Sequence, residues 1–322
     1  NGLYRIKPAK DTLYLKPFLH ESNDPGSISS NVVYSVFEGL NNNIWVGTYG
    51  GLNKYSPGDE KFESFKHIIG DSTSISTNKV FSVTQDKDGF LWIGTRGGGL
   101  NRMNPYNGKF THYTTKDGLA NNVVYDIIID YSGYLWLSTN KGLSRFDPGS
   151  NTFVNYDIND GIQSYEFNLG AAFKSDQGYI FFGGMNGFNV FLPSKIQQSQ
   201  IMPQLTVSQI SIYNKIIPGI FFDGDTLTVS HDDNFISLEF AALDYSNPIK
   251  NQYKYKLEGI SDKWINTTAD KNVAEFTNLT PGKYKFYLMG TNSDGVWSNK
   301  SMELTIIVKP TWYQTHWFRF GF

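Results

Sequence analysis

A phrase built around one aromatic residue is written four times along this chain, and no other feature restricts its fold as much. The segments 43–48, 90–95, 134–139 and 179–184, centred on Trp45, Trp92, Trp136 and the pair Phe181–Phe182, recur every 44 to 47 residues. A period of that length with one aromatic signature per unit is the mark of a β-propeller blade. A single blade cannot bury its two faces alone and has to stack against the next.

Each unit has the same internal order. An apolar segment led by Asn comes first (31–37, 78–84 and 122–128), and then a polar turn with Gly89 or Gly133, or the Asn run 41–43, as hairpins need at positive φ. The Trp segment follows. A glycine loop then opens a third strand at Gly51, Gly99, Gly142 or Gly187, which ends at Pro57, Pro105, Pro148 or Pro193. The outermost strand carries Phe62 and Phe65, Phe110 and Tyr113, or Phe153 and Tyr156, while Gly2-Leu3-Tyr4 reads as the tail of an earlier blade. Three full units, a fourth that runs out near Pro193 and a partial one in front make at most five blades. A ring of seven would need further sequence or a second chain, so the piece reads as part of a longer protein.

Composition agrees with short strands and tight turns: 24 Phe, 20 Tyr, 7 Trp and 31 Gly in 322 residues. A net charge of −2 with thinly spread Lys and Arg gives no basic face for a nucleic-acid backbone, so no nucleic-acid partner is expected. Without Cys there is no disulfide framework and no thiolate metal site. The five His (His20, His67, His112, His231 and His316) never fall at metal-ligand spacing, and no nucleophile elbow occurs. Neither a metal, a cofactor nor a catalytic group is expected.

After Pro193 the period stops, and the polar stretch 194–200 followed by Pro203 looks like a junction. Seven alternating segments follow (205–213, 226–230, 235–240, 253–257, 273–276, 283–289 and 302–308), separated by turn residues, as in an immunoglobulin or fibronectin-III-like sandwich. The expected organisation is all-β: residues 1–200 as the last blades of a propeller, about four of them four-stranded, 201–309 as an Ig-like sandwich, and 310–322 as an aromatic tail.

Motifs in the two parts carry a family resemblance. The Leu-Trp-Ile-Gly-Thr repeats combine with Ala241-Ala242-Leu243-Asp244-Tyr245, Tyr253, Tyr255, Leu257-Glu258-Gly259, Trp264, Leu279-Thr280-Pro281-Gly282-Lys283-Tyr284 and Asn292-Ser293-Asp294-Gly295-Val296-Trp297. Together they resemble the two-component regulator propeller followed by the triple-tyrosine domain, a pairing typical of the periplasmic half of Bacteroidetes hybrid two-component systems; Phe276 stands where that family often has Tyr. The resemblance implies a periplasmic sensor of polysaccharide-derived oligosaccharides. Its sandwich would relay the signal to a transmembrane helix, as a homodimer tethered to the inner membrane, with a cytoplasmic histidine kinase and control of transcription beyond. Trp312, Tyr313, Trp317 and Phe318 fit the aromatic belt flanking a membrane span.

Candidate contacts follow from variation on the repeated frame. Trp45, Trp92 and Trp136 hold one repeated mid-strand position and are expected in the core, whereas Tyr49, Arg96, Asn140 and Asn186 vary in the loop after that strand, where a propeller places ligand contacts. Arg96 suits a carboxylate or sulfate on an acidic sugar. Residues 86–89 begin like a calcium loop but lack its remaining ligands, and read as a hairpin turn. Two other classes of function stand beside the sensor. A propeller lyase or glycosidase would need acid–base groups on the inner strands, where Asn31, Asn78 and Asn122 sit instead; a structural module would bind protein rather than glycan.

Overall fold

In the computed structural model each Trp phrase becomes the second strand of an antiparallel blade. Residues 2–9, 12–196, 199, 201–213, 215–233, 235–244 and 246–310 are described. The chain divides into two units, Asn1–Ile196 and Gln197–Phe322.

In the first unit, β1 (Leu3–Ala9) pairs with β2 (Thr12–Phe18). Three four-stranded blades follow, each ordered from the innermost strand outward: β3 (Val33–Glu38), β4 (Ile44–Thr48), β5 (Gly51–Ser56) and β6 (Lys61–Phe65); then β7 (Val80–Gln85), β8 (Leu91–Thr95), β9 (Leu100–Met103) and β10 (Phe110–Tyr113); then β11 (Val124–Ile129), β12 (Leu135–Thr139), β13 (Gly142–Asp147) and β14 (Thr152–Tyr156). The fourth blade has three strands, β15 (Phe167–Lys174), β16 (Ile180–Gly184) and β17 (Gly187–Phe191). The innermost strands β3, β7, β11 and β15 are successive neighbours.

Second strands are buried on both sides because each blade is covered by the blades before and after it. Trp45, Trp92 and Trp136 are 2%, 0% and 1% exposed, as a core position requires. Trp45 and Leu52 enter one cluster with Val80, Val83, Leu91, Ile93 and Met103 of the next blade, and Trp92 and Leu100 do the same with Val124, Leu135, Leu137 and Phe146. Polar repeats lock the stack. The indole N–H of Trp92 donates to Asp86 at 2.8 Å and that of Trp136 to Asp130 at 2.9 Å, while the other oxygen of each carboxylate takes two amides of its own turn. Residues 86–89 thus form a hairpin turn that anchors a tryptophan. Asn31, Asn78 and Asn122 precede the inner strands, and their side-chain oxygens accept the amides of His20, His67 and Thr115.

The second unit packs a four-stranded sheet against a five-stranded one. Its strands are β18 (Leu205–Ile212), β19 (Lys215–Ile217), β20 (Thr226–Ser230), β21 (Phe235–Ala242), β22 (Gln252–Glu258), β23 (Ser261–Thr268), β24 (Val273–Thr277), β25 (Gly282–Gly290) and β26 (Met302–Lys309). The orders are β19-β18-β21-β24 and β20-β26-β25-β22-β23. Strict alternation drives this packing: Ile236, Leu238, Phe240 and Ala242 point inward, as do Tyr284, Phe286 and Leu288, into one core. All seven expected strands are present, and β19 and β23 are additional. Strand β23 is an exposed edge whose eight residues bury almost nothing, so it has no alternation to display.

Local chemistry explains the sandwich motifs. The Tyr284 hydroxyl donates to the Thr280 carbonyl at 2.9 Å, a tyrosine corner that closes the turn before β25. Asn292 is 3% exposed; its side-chain nitrogen donates to the carbonyls of Ser199 and Ile201, and its oxygen accepts the amides of Asp294 and Val296. Asp294 in turn accepts the Ser199 amide at 2.7 Å. These two residues clamp the entry of the chain into this unit.

Candidate ligand-binding rim of the propeller unit

Every complete blade has a register shift at one place in its innermost strand: between Val33 and Ser35, Val80 and Ser82, and Val124 and Asp126. The residue skipped each time is aromatic, namely Tyr34, Phe81 or Tyr125. A bulge turns its extra residue out of the ladder, and the three rings meet across the blades. Tyr34 and Phe81 lie edge to face at 5.0 Å, and Phe81 and Tyr125 stack at 5.8 Å with 12° between planes. The row ends at a carboxylate, where the Tyr125 hydroxyl donates to Glu166 at 3.4 Å. Burial raises the Tyr125 pKa, Glu166 raises it further, and Arg96 opposes both.

The candidate loops lie at the same end of the blades. Tyr49 is exposed and has the Lys79 ammonium over its ring at 4.9 Å. The Arg96 amide donates to the Lys79 carbonyl, and Arg96 bridges to Val123, which precedes the bulge of the next blade. Tyr49, Lys79, Arg96, Tyr125 and Glu166 are therefore brought together. Asn140 is exposed in the corresponding turn of the third blade. Asn186 is held within its own blade, its amide donating to the Gln163 side-chain oxygen at 2.7 Å and its side-chain nitrogen to the Gln163 carbonyl at 3.4 Å. Three cavities of about 390, 150 and 390 Å³ in this unit take their walls from other residues.

Beside Tyr125 sits a carboxylate that breaks the repeat. Where the first two blades have Ser35 and Ser82 opposite Gly47 and Gly94, the third has Asp126 opposite Ser138. Its oxygen accepts the Gly170 amide at 3.0 Å, pinning a four-residue irregularity in β15. Burial pushes its pKa up to about 6, against the lowering effect of the Gly170 and Ala171 amides.

The rim offers the exposed ring of Tyr49 and the half-buried rings of Tyr34 and Tyr125 on either side of the buried Phe81, with two cations and a carboxylate within one stretch, a set suited to a polyhydroxylated ligand with an anionic substituent. The row Tyr34–Phe81–Tyr125 was not singled out from the sequence, although the spacing held a signal: each ring stands three residues after Asn31, Asn78 or Asn122. Trp312, Tyr313, Trp317 and Phe318 lie outside the described residues. Among the described residues no helix is long and apolar enough to cross a membrane, and no cluster of three metal-ligating side chains occurs.

Residues 74–97 and 118–141 match the family profile of the two component regulator propeller, and residues 244–309 match that of the Y_Y_Y domain. The extracellular domain of a hybrid two component system from B. thetaiotaomicron has a similar structure, with a TM-score of 0.76 and 25% identity over 95% of this chain and 44% of that one. The extracellular domain of a one component system from the same organism gives a TM-score of 0.49 at 18% identity, over 98% of this chain and 54% of that one. A protein named histidine kinase P4 from Formosa agariphila is 28% identical over 213 residues, which are 62% of this chain and 15% of that protein. The chain carries the propeller repeats and the Y_Y_Y domain of such proteins and spans less than half the length of the first relative in each comparison.

Proposed function

We propose that this chain is the extracytoplasmic sensor region of a two-component histidine kinase. In this reading the propeller rim binds a polysaccharide-derived oligosaccharide, and the sandwich passes the event toward a membrane helix and the kinase. The single observation that supports ligand binding is the row of bulged aromatics on three blades, capped by Glu166 and flanked by Lys79 and Arg96. The likeness to extracellular domains of two-component systems supports the sensor role and a periplasmic location. Relay needs only two arrangements of a homodimer with different affinity for the ligand.

Calorimetric titration with a panel of neutral, uronic and sulfated oligosaccharides tests the reading. Binding of one anionic glycan class is expected, weakened about tenfold or more by Arg96→Ala and by Tyr125→Ala, with Tyr131→Ala, an exposed ring away from the rim, as control. Equal binding by all variants moves the site off the rim. No binding by the chain across the panel removes ligand recognition from these blades.

A further inference from the structure

At the end of the blades away from the rim, the repeat departs from itself at the turn before the second strand. The amides of Gly39, Asp86, Asp130 and Ser175 donate to the carbonyls of Asn43, Phe90, Tyr134 and Tyr179, and so hold equivalent positions. Where the second strand carries an indole, at Trp92 and Trp136, this position supplies the carboxylate that accepts its N–H. The fourth blade has Ser175 with Phe181, which has no N–H to satisfy. The first blade keeps the donor and lacks the acid, since Trp45 is combined with Gly39.

Trp45 is 2% exposed, and its indole N–H has no acceptor among the described residues. A buried donor left in that state is costly. A Cβ on Gly39 would lie 3.4 Å from Cδ1 of Trp45, the atom next to the N–H, so this is the corner that Asp86 and Asp130 fill in their blades. Gln85 of the next blade reaches into it, but its oxygen accepts the Leu40 amide at 2.6 Å and its nitrogen donates to the Gly89 carbonyl at 2.7 Å.

A cavity of about 150 Å³ opens here, walled by Leu40, Trp45, Lys54, Gln85, Pro105 and Tyr106. Lys54 pairs with Trp45 across the strands and holds its ammonium 5.7 Å from the centre of the ring. It forms no ion pair among the described residues, although Glu63 stands opposite it in β6. Leu40 and Tyr106 are exposed at the mouth. The buried N–H and the ammonium offer an anion two donors, and Leu40, Pro105 and Tyr106 offer apolar contact to a short alkyl group. A cavity of this volume takes a molecule the size of benzene, so a carboxylate of about four carbons fits and a pyranose is too large.

We propose that this cavity is a binding site for a short-chain carboxylic acid. Its carboxylate accepts from Trp45 and pairs with Lys54, in the place of the aspartate of the next two blades. Gly39 precedes β4 and Tyr49 follows it, so the site is separate from the rim and does not depend on what binds there.

The test follows the indole N–H resonances of the isotope-labelled full chain by NMR, with that of Trp45 assigned through Trp45→Phe. The chain is titrated with butyrate, with butyramide, which has the same shape without the charge, and with glucuronate. Expected is a downfield move of the Trp45 proton in butyrate, toward the positions of Trp92 and Trp136. Binding should be about tenfold or more weaker for butyramide and for butyrate on Lys54→Met. Gly39→Asp supplies the missing acid from within. Residue 39 has φ −93° and ψ −172°, extended backbone that aspartate adopts, and a Cβ there meets the end of the flexible Gln85 side chain. In this variant the Trp45 resonance should lie at the bound position without butyrate, and butyrate binding should be lost. An unshifted Trp45 in butyrate, an equal response to butyramide, or butyrate binding that survives Gly39→Asp overturns the proposal. So does a stronger response to glucuronate than to butyrate, which would assign the site to an acidic sugar.

Discussion

Asp126 makes the propeller unit less stable at neutral pH than it is under mildly acidic conditions. Its carboxyl is largely buried beside β15, where the groups that favour its charged form are the Gly170 and Ala171 amides, and its pKa rises from the ordinary 3.8 to about 6. A group whose folded pKa lies above its unfolded one favours the fold fully below the unfolded value. That contribution is lost as pH climbs through the folded value. Over the window from pH 4 to 6 the loss is about 3 kcal/mol, from roughly two pKa units at about 1.4 kcal/mol each. Asp126→Asn keeps an oxygen for the Gly170 amide and removes the charge. The variant is therefore expected to gain up to about 3 kcal/mol over the wild type at pH 7.5 and to match it near pH 4. Urea unfolding of both proteins in parallel from pH 4 to 8 measures this, since the remaining titratable groups cancel in the difference. A difference independent of pH, or a variant weaker at pH 7.5, would refute the assignment of a buried carboxylate.

Other consequences can be checked in the same urea assay. Trp92→Phe removes the bond to Asp86 and some core volume, and should cost about 2–3 kcal/mol. At Gly99, φ is +75° and a Cβ would collide with the Tyr113 carbonyl, so Gly99→Ala should cost more than Gly133→Ala, where φ is +90° but the space is open and about 1–2 kcal/mol is expected. Tyr284→Phe should lose about 1 kcal/mol from the sandwich unit alone. Asn292→Ala removes four partly buried hydrogen bonds and should cost about 2–4 kcal/mol, with faster amide exchange at Ser199 and Ile201.

The blades were legible because their burial is periodic: every Trp strand needs the same apolar residues on both faces, and the turns between need glycine. The sandwich was legible wherever one face is buried, as in β21 and β25. Strand β23 was not, since an exposed edge leaves no pattern. Tyr49 and Arg96 could be chosen because side chains that change on a fixed frame stand out. Tyr34, Phe81 and Tyr125 were marked only by their shared distance of three residues from Asn31, Asn78 and Asn122, because in an alternating strand each reads as one more core residue. Only the bulge, which a single sequence does not mark, turns them toward one another. The motif around Asn292 was recognisable as a word, but its bonds to residues more than ninety positions away exist only in the folded chain.

Hydrogen exchange with and without a bound oligosaccharide tests the central claim most directly. Slowed exchange around Tyr49, in residues 79–82 and 96–97, and around the bulge at Tyr125 is predicted, and it should be lost in Arg96→Ala. Protection confined to the Y_Y_Y sandwich, or protection at the rim that survives in Arg96→Ala, would contradict a ligand site built on the bulged aromatics.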